Sequence, residues 1–207
     1  FKYVGSYMPQ ERVLFTHLDT PYKTFDEFIA YAKEHPGEVS VGAGGGTWSL
    51  EVIKSIAVKE GLKLKYVLFK SGADASAAVL GGHVDTTDTG VGTSAYQAAK
   101  AGKLRILINT GSGIIPDFPE VQNAIEKGYQ FTCSREYGIL LHADVPENIR
   151  QVWEDALKAT MEDSETIDRM EKIGLTPRFL PGKKWEKICK YNAKSVPQLF
   201  EYNKALE

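Results

Sequence analysis

Val39-Ser40-Val41-Gly42-Ala43-Gly44-Gly45-Gly46-Thr47-Trp48-Ser49-Leu50-Glu51-Val52-Ile53 is the stretch that decides the fold class. Val39–Ala43 reads as a strand, the three glycines as a tight turn, and Thr47–Glu60 as a helix. Leu50, Ile53 and Ala57 fall on one face of that helix, and Gly61 ends it. A strand feeding a helix through a glycine turn is the building step of an α/β sheet. The step recurs downstream. Leu64–Phe69 is a strand, Ser71-Gly72-Ala73-Asp74 a turn, and Ala75–Leu80 a helix stopped by Gly81-Gly82. Val84–Thr87 is a strand, Thr93–Ala101 a helix, and Leu104–Asn109 a strand. Upstream, Arg12–Thr16 is a strand, and Thr24-Phe25-Asp26-Glu27 is a capping box opening a helix that His35-Pro36-Gly37 stops.

The pattern changes later in the chain. Val121–Lys127 reads as a helix closed by Gly128, and Phe131–Leu141 as extended chain. From Pro146 the sequence is mostly helical, with helices over Glu147–Met161, Ser164–Ile173 and Lys183–Ala205 and a short strand near Thr176–Phe179. The chain has 207 residues, 43% hydrophobic and 25% charged, with a formal charge of −2. That balance gives no general pull toward nucleic acid. No apolar run approaches the ~18 residues of a membrane span. Two cysteines, Cys133 and Cys189, exclude a disulfide scaffold; they either pair or stand as two thiols.

Enzyme machinery is sparse. His17, His35, His83 and His142 form no two-histidine helical metal motif, and there is no nucleophile elbow and no Walker A sequence. Gly90-Val91-Gly92-Thr93-Ser94-Ala95 has the form of a dinucleotide fingerprint, but the next strand ends at Asn109-Thr110-Gly111 without the required carboxylate. No cofactor and no metal are therefore expected.

The strand-to-helix turns carry more. At Gly44-Gly45-Gly46-Thr47-Trp48-Ser49, glycine lets the backbone approach a ligand, and the orphan N–H groups and dipole of the helix start favour an anion. Thr47 and Ser49 add hydroxyls. Equally, this is a tight turn with Thr47 as its N-cap. Trp48 either walls a pocket or packs as a core aromatic. Ser71-Gly72-Ala73 makes a second turn of the same kind, with Asp74 capping its own helix. In a parallel sheet both turns lie at the carboxyl ends of strands, where open α/β sheets bind ligands.

The run Pro21-Tyr22-Lys23-Thr24-Phe25-Asp26-Glu27-Phe28-Ile29-Ala30-Tyr31-Ala32-Lys33 with His35-Pro36-Gly37-Glu38-Val39 resembles the tripartite tricarboxylate transporter receptors, the TctC-like or Bug-type binding proteins. Gly42–Thr47, Phe69-Lys70-Ser71-Gly72, Leu80-Gly81-Gly82-His83-Val84-Asp85, Ala101–Arg105, Pro116–Val121 and Glu126–Tyr129 continue the resemblance in order. It implies a two-lobed α/β fold like type II periplasmic binding proteins, with open, mostly parallel sheets. It also implies a periplasmic receptor that performs no chemistry. Such a receptor takes a small carboxylate into the interlobe cleft and delivers it to the two membrane subunits of a permease, without inserting into the membrane itself.

The implied site is Gly44, Gly45, Gly46, Thr47, Ser49, Ser71, Gly72 and Ala73, with Thr89 from the stretch Thr87–Gly90. The sequence departs from the family at Thr132–Gly138, where Arg135 either forks onto a ligand carboxylate or pairs with Glu136 or another acid. Trp48 and the triple glycine are a less common first turn. Members also begin with a lobe of roughly a hundred residues, which is expected to be missing ahead of Phe1. The expected organisation is therefore a crossing segment over 1–20, a complete lobe over 21–130, a second crossing over 131–145, and a helical remnant of the first lobe over 146–207. A homodimer through that remnant is expected. The competing classes are the effector domain of a LysR-type regulator and a doubly wound α/β enzyme.

Overall fold

The computed structural model describes residues 1–44, 47–115 and 117–204. In chain order the elements are β1 (Lys2–Gln10), β2 (Arg12–His17), α1 (Phe25–Glu34), β3 (Ser40–Gly44), α2 (Thr47–Glu60), β4 (Lys65–Phe69), α3 (Gly72–Leu80), β5 (Thr86–Gly90), α4 (Ser94–Lys100), β6 (Leu104–Asn109), β7 (Arg135–Leu141), α5 (Glu147–Glu162), α6 (Ser164–Lys172), β8 (Leu180–Pro181) and α7 (Gly182–Lys204). The chain forms two compact units, Phe1–Gln10 with Arg135–Pro197, and Glu11–Ser134 with Gln198–Glu207. We call them unit 1 and unit 2.

Unit 2 is a five-stranded sheet in the order β4-β3-β5-β2-β6. β3 pairs in parallel with β4 and β5, and β2 runs antiparallel to both β5 and β6. Four strands therefore end on one edge, where β2 begins. Side-chain alternation along β2 feeds a different core on each face. Leu14 joins Phe28, Ile29, Ile53 and Ile56 from α1 and α2. Val13 and Phe15 join Val79, Tyr96 and Ala99 from α3 and α4. The capping box forms: the Thr24 hydroxyl accepts the Glu27 N–H at 3.2 Å, and Glu27 Oε2 accepts the Thr24 N–H at 3.2 Å.

Unit 1 is a three-stranded antiparallel sheet, β7-β1-β8. An added Cβ at Gly138 would lie 2.5 Å from the ring of Trp185 and 2.5 Å from the Gly5 carbonyl oxygen, so only glycine fits there. Trp185 is buried and meets Tyr3 edge-on, with ring centroids 5.2 Å apart. On α5, Arg150 is buried and paired with Glu147 and Glu154. Ile149, Val152 and Trp153 on the same helix are 43%, 63% and 48% exposed.

Four elements differ from the sequence reading. The strand expected over Val84–Thr87 runs over Thr86–Gly90, because its pairing with β2 extends to Arg12 opposite Gly90. The helix expected over Val121–Lys127 is a set of turns, because the backbone there is diverted to the end of β6. The Asn109 N–H donates to the Gln122 carbonyl, and the Ala124 N–H donates to the Asn109 carbonyl. The extended run expected from Phe131 becomes a strand only at Arg135. The short strand expected at Thr176–Phe179 is two residues, Leu180–Pro181.

The units divide at 10/11 and 134/135, where the sequence reading placed boundaries at 20/21, 130/131 and 145/146. β2 is a central strand of the unit 2 sheet, so it cannot serve as a linker to it. Residues after Pro197 also belong to unit 2. Leu199 sits in its core, and Asn203 Nδ2 donates to the Glu51 carbonyl at 3.0 Å and to Glu51 Oε2 at 2.7 Å.

Candidate functional site

The carboxyl edge of the unit 2 sheet is where the expected turns meet. Gly44 ends β3, and a Cβ there would lie 2.2 Å from the Gly72 nitrogen and 2.3 Å from the Ser71 carbonyl carbon. The β3 terminus therefore packs directly on the start of α3, and only glycine allows it. Gly45 and Gly46 lie outside the described residues. Thr47 is the first residue of α2.

At α3, the Ser71 hydroxyl is closed on its own helix. It accepts the Asp74 N–H at 3.1 Å and donates to Asp74 Oδ2 at 2.8 Å. Gly72 and Ala73 are the first two helical residues, so their N–H groups have no carbonyl four residues back. A Cβ on Gly72 would meet nothing within 4 Å. The arrangement offers backbone donors and the positive end of a helix dipole, the equipment for holding a carboxylate.

Other expected residues are engaged inward. Ser49 is fully buried, and its hydroxyl accepts from Arg12 Nη2 at 3.1 Å. Thr89 is fully buried, with its hydroxyl 2.8 Å from that of Thr93. The single Thr93 hydroxyl proton goes to the Gly90 carbonyl at 2.7 Å, so Thr89 donates to Thr93. Trp48 packs against the core of α1 and α2. Arg135 stands in unit 1, opposite Gln10 in the β1–β7 ladder. Its expected alternative partner Glu136 instead takes Arg178 Nη2 at 2.6 Å and the Ser6 hydroxyl at 2.8 Å. Cys133 and Cys189 are both free thiols, and burial pushes the Cys189 thiol up. Among the described residues no group of metal-ligating side chains assembles, and no helix is long and apolar enough to cross a membrane.

The sequence reading missed a polar cluster at this edge. Arg12 is 4% exposed and Asp88 fully buried. Arg12 Nε and Nη2 lie 3.0 and 2.8 Å from Asp88 Oδ1, and Thr110 Oγ1 donates to Asp88 Oδ2 at 2.6 Å. Beside it, Glu11 Oε2 accepts the Gly113 N–H at 3.0 Å and the Ser134 hydroxyl at 2.9 Å. The five residues Thr86–Gly90 are all buried, so a carboxylate among them needs a cation, and Arg12 opens the neighbouring strand; neither the burial nor the pairing is written in the local sequence.

Comparison with known proteins gives the family. The profile described as "Tripartite tricarboxylate transporter family receptor" matches residues 1–201. The chain belongs to that family. Among curated relatives, the protein of the gbd 5' region of Cupriavidus necator is 26% identical over 184 residues, covering 88% of this chain and 56% of its own length. A protein of Agrobacterium vitis is 26% identical over 183 residues, covering 86% of this chain and 51% of its own length. The chain thus spans little more than half the length of these relatives. Among solved structures, an R. palustris protein with adipate superposes with TM-score 0.86 at 16% identity, over 99% of this chain and 69% of that one. Periplasmic binding protein BugD gives 0.79 at 22%, over 100% and 69%. MatC from Rhodopseudomonas palustris with bound malate gives 0.72 at 21%, over 100% and 70%. These likenesses establish the α/β binding-protein fold.

Proposed function

We propose that this chain is the greater part of a periplasmic receptor that captures a small carboxylate and hands it to the membrane subunits of a tripartite tricarboxylate transporter, without chemically altering it. The observation that carries the reading is the close approach of Gly44 to Ser71-Gly72, which brings the end of β3 and the start of α3 together at the carboxyl edge of the sheet. Backbone N–H groups at the starts of α2 and α3 supply the anion contacts, drawn from Thr47 and from Gly72 and Ala73, with Gly44 ending β3 beside them. Ser49, Thr89 and the Ser71 hydroxyl shape the edge from within. Unit 2 is read as one lobe of the receptor and unit 1 as the C-terminal part of the other. The adipate and malate of the similar structures make dicarboxylates the first ligand class to try. The exposed Ile149, Val152 and Trp153 of α5 support a homodimer of the 207-residue chain, which sedimentation over a concentration series tests.

The reading is tested by thermal shift of the full-length receptor against mono-, di- and tricarboxylates. A ligand bound by the native state alone raises Tm. A rise with at least one acid supports the proposal, and a flat response across the panel contradicts it.

A further inference from the structure

We propose that Arg12 is a positioning residue of the carboxylate site: held by Asp88, its guanidinium fixes the first turn of α2 through Ser49. The inference rests on the receptor reading above and adds a specific device to it.

The cluster joins four elements at the carboxyl edge. Arg12 opens β2, Asp88 lies in β5, Ser49 is the third residue of α2, and Thr110 follows β6. Arg12 Nη2 reaches the Ser49 hydroxyl at 3.1 Å and the Asp88 carbonyl at 2.6 Å, while its Nε holds Asp88 Oδ1 at 3.0 Å. The Arg12 carbonyl accepts the Thr110 N–H at 2.8 Å. The Arg12 side chain therefore ties the start of α2 to β5, and its backbone carbonyl adds the link to Thr110 after β6.

Stability alone does not call for this arrangement. A buried ion pair regains little beyond its desolvation cost, and a well-packed apolar pair of similar volume often serves a core as well. Leu14 and Val52, which belong to the core on this face, show that apolar contacts are available there. A guanidinium does supply direction, because its rigid fork fixes the relative positions of its acceptors. A helix start that holds an anion through backbone N–H groups needs that placement to within about half an ångström.

The test uses the full-length receptor and whichever acid of the malate and adipate pair stabilises the wild type. Ser49→Ala removes only the Arg12–α2 link. Arg12→Met with Asp88→Leu replaces the pair by apolar side chains and avoids stranding a buried charge. Ser55→Ala is the control: Ser55 is a buried α2 hydroxyl that donates to the Val52 carbonyl at 2.7 Å, away from the edge. Calorimetric titration is expected to give roughly tenfold weaker binding for Ser49→Ala and for the double variant, the equivalent of one charge-assisted hydrogen bond, with Ser55→Ala unchanged. Hydrogen exchange without ligand is expected to quicken at residues 50–52, the first amides bonded within α2, in both edge variants, with the amides of 53–58 unaffected. Wild-type affinity together with unchanged exchange at 50–52 overturns the proposal. So does weakening that tracks only a fall in Tm and appears equally in Ser55→Ala. If the wild type binds no acid, the receptor reading fails and this inference with it, whereas binding by the wild type with indifferent variants removes the inference alone.

Discussion

Unit 2 packs helices on both faces of its sheet and opens apolar side chains at its margins, Leu68 on edge strand β4 and Ile114 and Ile125 beyond β6, whereas unit 1 opens several on one helix. Of the twelve bulkiest fully buried side chains among the described residues, all but Val4 belong to unit 2. α1 and α2 cover one face of the five-stranded sheet, and α3 and α4 cover the other. In unit 1, α5 turns Arg150 inward and leaves Ile149, Val152 and Trp153 exposed, with Ile173 after α6 58% exposed. The contrast teaches that two helices on each face of a five-stranded sheet bury the bulkiest apolar side chains, whereas α5 of unit 1 keeps an apolar face in the open. It also places the candidate site on the unit with both faces packed, where backbone donors can be held rigidly.

The contrast breaks or holds at particular residues. Phe15→Ala, at a fully buried position in unit 2, is expected to lower stability by about 3–5 kcal/mol in urea unfolding. Trp153→Ala on α5 is expected to stay within about 0.5 kcal/mol, as for other exposed substitutions. A large loss at Trp153 would mean that its face is already covered in solution. Gly44→Ala is expected to be the next most damaging, at about 1–3 kcal/mol, because its Cβ meets the backbone of Ser71 and Gly72. Thr24→Ala is expected to cost about 1 kcal/mol by opening the α1 capping box.

The smallest effect is pH-dependent. The Tyr96 hydroxyl donates to Asp117 at 2.5 Å and Lys100 lies 3.0 Å away, and together they hold the Asp117 carboxyl below its ordinary value. A carboxyl depressed in the folded state stabilises it above the unfolded-state pKa of about 3.9, and that contribution fades as pH falls through the lower folded value. The wild type is therefore expected to exceed Asp117→Asn slightly at pH 6, with the gap closing below about pH 4. A gap that persists at pH 3 would assign the effect to packing.

Much of this was readable in the residues. The capping box at Thr24 and Glu27, the glycine turns and the paired apolar runs each impose one local structure, so strand and helix order in unit 2 followed from local rules. The helix expected at Val121–Lys127 did not form, because Asn109 competes for its backbone groups through a contact no local pattern encodes. The same holds for Leu199 and Asn203, whose place against α1 and α2 depends on where α7 ends up. At the site, the glycine requirement at Gly44 was visible as a run of glycines. The inward turn of Ser49 and Thr89 was not, because it depends on Arg12 and Thr93 arriving from other parts of the chain.

The central claim is that backbone donors at the start of α3 hold a carboxylate. Gly72→Ala tests it most directly, because a Cβ there meets nothing within 4 Å and leaves the fold alone. Calorimetric titration of full-length wild type and Gly72→Ala with malate and adipate is expected to give binding of at least one acid by the wild type. It is also expected to give markedly weaker binding by the variant at an unchanged Tm. Equal affinity in the two proteins would contradict the claim.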